Sequence, residues 1–172
     1  MATCISHSPA ETAALGEQWG RAAESGLVIG LCGDLGAGKT QLVKGLARGL
    51  DIAELVHSPT FALVNIYNGG RLTLYHLDLY RLDTLEQIRA AGLEEYLKPE
   101  GVTVIEWAER WFDVVQSPES KVQSPESRVQ SPKSKVQSPK RAGVDRLVGL
   151  RSVQIDVLSE TERRISYEDT GA

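Results

Sequence analysis

Cysteine is scarce in this chain: Cys4 and Cys32 are the only two among 172 residues. Two such cysteines make neither a disulfide framework nor a cysteine metal site, and the usage fits a reducing cytoplasm. Cys32 ends an apolar run, where a small buried thiol is expected. Long apolar stretches are missing too. None approaches the roughly 20 residues of a membrane-spanning helix, so no membrane association is expected. The opening, MATCISHSPAETAALG, lacks a basic region followed by an apolar one, so no secretory signal is visible. Basic charge is also short on most of the chain. The formal charge is −4, yet Gln116 to Arg141 holds six basic residues against two acidic ones, which leaves −8 for the remainder. An acidic body of that kind has no stripe for gripping nucleic acid by itself.

The basic segment is unlike the rest. VQSPESKVQSPESRVQSPKSKVQSPK, Val115 to Lys140, repeats a seven-residue unit. A period of seven suits a coiled coil, but a proline in every unit forbids a continuous helix. The composition predicts a disordered insertion at about 115–141, an expansion of a surface loop within a single domain spanning 1–172. Its Ser-Pro pairs resemble proline-directed phosphorylation sites.

What is present begins with LVIGLCGDLGAGKTQLVKGLARGL, Leu27 to Leu50. Its centre, Gly33, Asp34, Leu35, Gly36, Ala37, Gly38, Lys39 and Thr40, fits G-x-x-x-x-G-K-[ST] without a mismatch. Leu27, Val28, Ile29 and Leu31 read as a buried strand before it. Leu42, Val43, Leu46, Ala47 and Leu50 recur at helical spacing after it. Strand, glycine loop and helix together form the context in which successive backbone N–H groups cradle phosphates at a helix N-terminus. Lys39 has the reach for the β- and γ-phosphates, and the Thr40 hydroxyl suits Mg²⁺. The bound molecule expected here is a nucleoside triphosphate. GTP is disfavoured because no Asn-Lys-x-Asp segment is present.

Along the chain, Leu15, Trp19 and Ala22 predict a helix over Thr12 to Ala23. Phe61 to Tyr67 reads as a strand, Asn68-Gly69-Gly70 as a hairpin turn, and Arg71 to Tyr80 as the return strand. Thr84 to Leu97 predicts a helix interrupted at Gly92. Val102 to Ile105 is another short buried strand, and Ser152 to Glu168 reads as a closing hairpin that turns near Glu160 to Glu162. The fold class is α/β: a small P-loop NTPase domain whose mixed sheet carries antiparallel hairpins, with helices packed on it.

A triphosphate site also needs acids. Glu106 stands at the carboxyl end of a strand, the usual place of the second nucleotide-binding acid, where it suits a metal-bound or an attacking water. Alternation along LTLYHLDL puts His76 and Asp78 on one face and Tyr75, Leu77 and Leu79 on the other. Asp78 is a second metal candidate, and His76 reads as a hydrogen-bonding partner. Thr60, in HSPTF, is a candidate switch-loop hydroxyl for the γ-phosphate.

Taken together, GDLGAGKT, SPTFALVNIY, YHLDLYRL, GLEEYL and VIEWAER resemble the TsaE (YjeE) family from about Thr12 to Arg110, with the likeness resuming near Val153. These are bacterial ATPases needed to make threonylcarbamoyladenosine beside the anticodon of tRNA. The resemblance implies that Lys39 and Thr40 serve nucleotide and Mg²⁺, that Asp78 and Glu106 surround the metal, and that Thr60 lies in a switch-like loop. It places Trp107 near the site, and offers Thr12 and either Arg163 or Arg164 for the base side of the nucleotide. It further implies a cytoplasmic ATPase acting on a TsaB–TsaD pair, with tRNA met only through that complex. Arg81 is the nearest candidate for an arginine finger in cis; without one, hydrolysis alone should be slow. A small-molecule kinase and an ATP-sensing binding module are the alternatives. The heptad insertion departs from the family pattern.

Overall fold

The computed structural model describes residues 1–97, 99–112 and 149–170; the expected insertion at about 115–141 lies outside them. In chain order the elements are β1 (Ala2–Ser6), α1 (Pro9–Ala22), β2 (Leu27–Cys32), α2 (Lys39–Gly49), β3 (Val64–Tyr67), β4 (Leu74–Asp78) and α3 (Leu85–Ala90). A 3₁₀ turn (Leu93–Leu97), β5 (Val102–Glu106), α4 (Glu109–Phe112), β6 (Leu150–Val157) and β7 (Arg163–Thr170) complete them. Among the described residues, seven strands form one mixed sheet in the order β1-β7-β6-β2-β5-β4-β3. The central four, β6, β2, β5 and β4, are parallel. Antiparallel pairs close both sides, β3 with β4 and the β6–β7 hairpin extended by β1.

Alternation along the buried strands sorts the core into two layers. Ile29, Leu31, Val102, Val104, Val153 and Ile155 pack with Trp19, Leu42, Val43 and Leu46 from α1 and α2. Val28, Ile105 and Leu77 pack on the other face with Ile88, Leu93 and Trp111. His76 and Asp78 share a face with Leu74, toward α2, while Tyr75, Leu77 and Leu79 belong to the opposite layer.

Helix α1 starts at Pro9, earlier than Thr12. Ser8 caps it by accepting a bond from the Glu11 N–H at 3.2 Å, with proline in the first turn. Its buried stripe is Thr12, Ala13, Gly16, Trp19 and Gly20, and Ala22 faces solvent. The stripe is small because α1 and α2 nearly touch backbone to backbone: a Cβ on Gly20 would lie 2.8 Å from the Gly49 Cα, and one on Gly45 would lie 2.9 Å from the Ala13 Cα.

Other differences have local causes. Strand β1 has no counterpart in the sequence-based expectation. Cys32 is half-buried, not fully enclosed, and neither cysteine forms a disulfide. The strand expected from Phe61 begins only at Val64, because the Leu63 N–H bonds back to the Pro59 carbonyl at 2.7 Å and Leu63 takes φ 66°. Phe61 is left exposed. The return strand starts at Leu74, since Arg71 is occupied elsewhere. Its backbone bonds to Leu50, and its guanidinium donates to the carbonyls of Gly20 and Ala23 at the end of α1. The helix expected over Thr84–Leu97 divides at Gly92 into α3 and the 3₁₀ turn. Among the described residues, no helix is long and apolar enough to cross a membrane.

Candidate functional site

The site lies at the carboxyl ends of the central parallel strands, where loops leave the sheet and crevices form. Register alone brings its acids together. Asp78 ends β4 directly beside Glu106 at the end of β5, and Glu106 in turn pairs with Leu31 of β2. The chain leaving β2 turns through the glycine loop into α2. Gly33, Gly36 and Gly38 all have positive φ, and at Gly33 a Cβ would also strike the backbone of Ile155.

Thr40 and Lys39 open α2. The Thr40 hydroxyl donates to Glu106 Oε1 at 2.8 Å. Lys39 is 4% exposed, and its ammonium donates to the carbonyls of Gly33 at 2.6 Å and Asp34 at 2.9 Å. The ring of Trp107 covers the same ammonium, with its centroid 3.9 Å away. Burial pulls the Lys39 pKa below its ordinary value, while the carboxylates of Glu106, Glu109, Asp78 and Asp34 act the other way. Trp107 itself has φ 60°, a region that a bulky residue rarely enters. The turn it makes lets the Ala108 N–H bond to the Leu31 carbonyl at 3.1 Å and packs its ring against Tyr80.

Asp78, 2% exposed, accepts from three donors. Ser58 and Thr60 donate their hydroxyls to Oδ2 at 2.7 and 2.6 Å, and the Tyr80 N–H donates to Oδ1 at 2.9 Å. Thr60 thus sits beside a metal candidate, and Ser58, which the sequence reading passed over, does the same work from the same Ser-Pro-Thr turn. A cleft of about 390 Å³ is lined by Leu35 to Gln41 together with Ser58, Thr60, Asp78, Tyr80, Glu106 and Trp107. Leu35 stands at its rim, 77% exposed.

A second hollow, of about 200 Å³, shares Gly36, Ala37, Gly38 and Gln41 with the first and adds Pro9, Thr12, Glu160, Thr161 and Arg163. Thr12 is buried and bonded to the Ser6 hydroxyl at 2.8 Å. Arg163 donates to the Ala37 carbonyl at 3.0 Å and the Ser159 carbonyl at 2.9 Å, tying the β6–β7 turn to the glycine loop. Arg164 points away and pairs with Asp156 at 3.2 Å. Arg81 is not in the cleft lining; it stacks over the Phe61 ring at 4.2 Å. Glu109 was not singled out from the sequence, yet its carboxylate bears on Lys39 and its Oε2 is buried without a partner.

Among the described residues, no three His, Cys, Asp or Glu side chains gather into a metal cage. What the cleft offers is the Thr40 hydroxyl and the carboxylates of Glu106 and Asp78, a few hard oxygens and open space. That donor set fits Mg²⁺, which keeps waters and phosphate oxygens and takes only one or two carboxylates from protein.

A family model described as "Threonylcarbamoyl adenosine biosynthesis protein TsaE" matches residues 6–136, well over half of the chain. The chain belongs to the TsaE family. A relative from Treponema pallidum (strain Nichols), named tRNA threonylcarbamoyladenosine biosynthesis protein TsaE, is 52% identical over 107 residues, which are 62% of this chain and 78% of that one. A TsaE of the same name from Bacillus subtilis (strain 168) is 46% identical over 101 residues, 59% of this chain. There the chain spans 63% of the relative's length, under two thirds. The crystal structure of Bacillus subtilis YdiB is similar at a TM-score of 0.67 and 30% identity, covering 99% of this chain and 86% of that one. All the sequence-derived candidates except Arg81 and Arg164 line or adjoin this TsaE-family cleft and its annexe.

Proposed function

We propose that this chain binds ATP with Mg²⁺ and hydrolyses it in support of threonylcarbamoyladenosine formation on tRNA, acting on a TsaB–TsaD pair in the cytoplasm rather than performing the transfer. The observation that carries the reading is the convergence of Lys39, Thr40, Asp78 and Glu106 on one cleft at the mouth of the parallel strands. Family membership and the relatives' names support the pathway.

The roles follow from the chemistry of the side chains. The glycine loop and the start of α2 offer N–H groups to the phosphates, and Lys39 exchanges two carbonyls for β- and γ-phosphate oxygens. Thr40, Asp78 and Glu106 would hold Mg²⁺, which neutralises charge building on the phosphates. Glu106 is the group to orient and polarise an attacking water. Thr12 and Arg163 flank the hollow that suits the base and sugar. Thr60, one bond from Asp78, links the 58–60 loop to the state of the site. With Arg81 stacked on Phe61, no arginine of the described residues completes the cleft, so a partner is expected to raise the rate.

Steady-state phosphate release and ADP titration on two variants test the reading. Lys39→Ala should weaken nucleotide binding about 10–100-fold, the worth of a charged hydrogen-bonding group. Glu106→Gln should keep binding and slow hydrolysis about 100-fold. Adding TsaB and TsaD to the native chain should accelerate it. A Glu106→Gln protein as fast as the native one sinks the hydrolytic assignment; phosphate appearing on a metabolite would make the chain a kinase.

A further inference from the structure

We propose that His76 is a positioning residue for Glu106: with its proton held on Nε2, it fixes Oε1 of that carboxylate and leaves Oε2 as the oxygen for the reacting water. The proposal deepens the hydrolytic reading above and rests on it.

His76 is fully buried in the middle of β4 and is not among the residues lining the cleft. It has no route to a substrate except through another side chain. Its Nε2 lies 2.9 Å from Glu106 Oε1, diagonally across the β4–β5 ladder, where His76 itself pairs with Val104. The same oxygen receives the Thr40 hydroxyl at 2.8 Å. A carboxylate only accepts, so the imidazole must donate from Nε2. The other nitrogen, Nδ1, is buried with no partner. If the proton sat there instead, a bare lone pair on Nε2 would face a carboxylate oxygen, and a buried N–H would be orphaned.

An unpartnered ring nitrogen in the core is a costly occupant of a site that leucine would fill. The imidazole's return is orientation. Two donors converging on Oε1, from β4 and α2, fix the plane of the Glu106 carboxylate, as outer partners fix the ligands of metal sites. Without His76 the carboxylate would hang on Thr40 alone, the very hydroxyl expected to turn toward Mg²⁺.

Three variants and one measurement on the native protein decide the matter. His76→Leu removes the donor; His76→Gln returns an amide N–H near the position of Nε2; His76→Asn offers one nearer to Nδ1. With the TsaB–TsaD pair present, His76→Leu should lower kcat about 10–100-fold and leave the ADP dissociation constant unchanged. His76→Gln should recover most of the loss and His76→Asn should not. An unchanged kcat in His76→Leu, or a His76→Gln protein no faster than His76→Asn, overturns the proposal, and the Gln–Asn pair decides it if the leucine protein does not fold. In the native chain, ¹⁵N NMR of the ring should find a proton on Nε2; an Nε2 without a proton overturns the assignment even if no variant folds. A native chain with no hydrolysis at all would remove the proposed function, while the tautomer would still judge the contact to Glu106.

Discussion

Adding one methyl group at Gly45, which does not line the cleft, should both destabilise the fold and loosen the proposed nucleotide site. In Gly45→Ala the new Cβ lies 2.7 Å from the Ala13 carbonyl carbon and closer still to its oxygen. Ordinary contact begins near 3.4 Å, so α1 must retreat from α2 by at least about 0.7 Å, taking the carbon distance alone. The obstacle is backbone, and no rotamer change relieves it. Overpacking of this kind costs about 1–3 kcal/mol, here at the upper end. The higher helix propensity of alanine returns up to about 1 kcal/mol. A net loss of about 2 kcal/mol lowers the melting temperature of a chain this long by about 4–8 °C. Thr12 precedes Ala13 on α1 and sits 3.9 Å from where a Gly38 Cβ would be, so the same retreat draws Thr12 away from the glycine loop. Thermal melting and ADP titration of Gly45→Ala check both consequences. The double variant Ala13→Gly/Gly45→Ala should show no recovery, because the clashing carbonyl remains. A melting temperature equal to or above the native one, or rescue by Ala13→Gly, would refute the reasoning.

Two further outcomes concern the closing hairpin. Arg163→Ala cuts the tie between the β6–β7 turn and the Ala37 carbonyl and should weaken ADP binding about tenfold, whereas Arg164→Ala, which loses only an exposed pair with Asp156, should change it by less than about 0.5 kcal/mol; equal losses would put the wrong arginine at the loop. Asp169 is held below the ordinary carboxylate pKa by its bonds from Arg151, at 2.6 and 2.8 Å, against a smaller opposing effect of burial. A depressed folded value adds stability that is complete above about pH 3.9, the unfolded value, and is lost as pH falls through the folded one. The Asp169 side chain is 64% exposed, so Asp169→Asn should cost only about 0.2–1 kcal/mol at neutral pH. That gap should close in strong acid; urea titrations at both ends that give the same gap would contradict the pairing.

The sequence spelled out the parts of the site whose spacing is local. A glycine loop between a buried run and an amphipathic helix is a chain of neighbours, and Lys39 and Thr40 follow from it. Asp78 and Glu106 were legible as strand-end acids, but their adjacency comes from the β4–β5 register, which is tertiary information. Arg163 and Arg164 show the limit in its simplest form. Successive strand residues point to opposite faces, so a one-residue change of register exchanges which of them meets the loop. The α1 stripe was hidden for another reason: Gly16 and Gly20 look like weak points in a helix, and become a packing face only once the backbone of Leu42, Leu46 and Gly49 is known to lie against them. Strand β1 carries little pattern of its own and exists through pairing with β7. In Phe61–Tyr67 an apolar run outvoted a turn that Pro59 and Leu63 close by a backbone bond.

The cleft keeps each of its principal charges partnered before any ligand enters. Lys39 rests on two carbonyls and a ring, Glu106 on Thr40 and His76, and Asp78 on Ser58, Thr60 and the Tyr80 N–H. Binding is therefore an exchange of partners, and its net free energy is the difference between two satisfied states rather than the sum of new contacts. Asp78 makes the exchange cooperative. Its Oδ2 holds both hydroxyls of the 58–60 turn, so a metal ion that claims this oxygen loosens Ser58 and Thr60 together, and a phosphate that claims Thr60 frees Asp78 toward the metal. Nucleotide and metal should thus each strengthen the binding of the other through one carboxylate oxygen, a reciprocity that linkage requires whichever of the two arrives first.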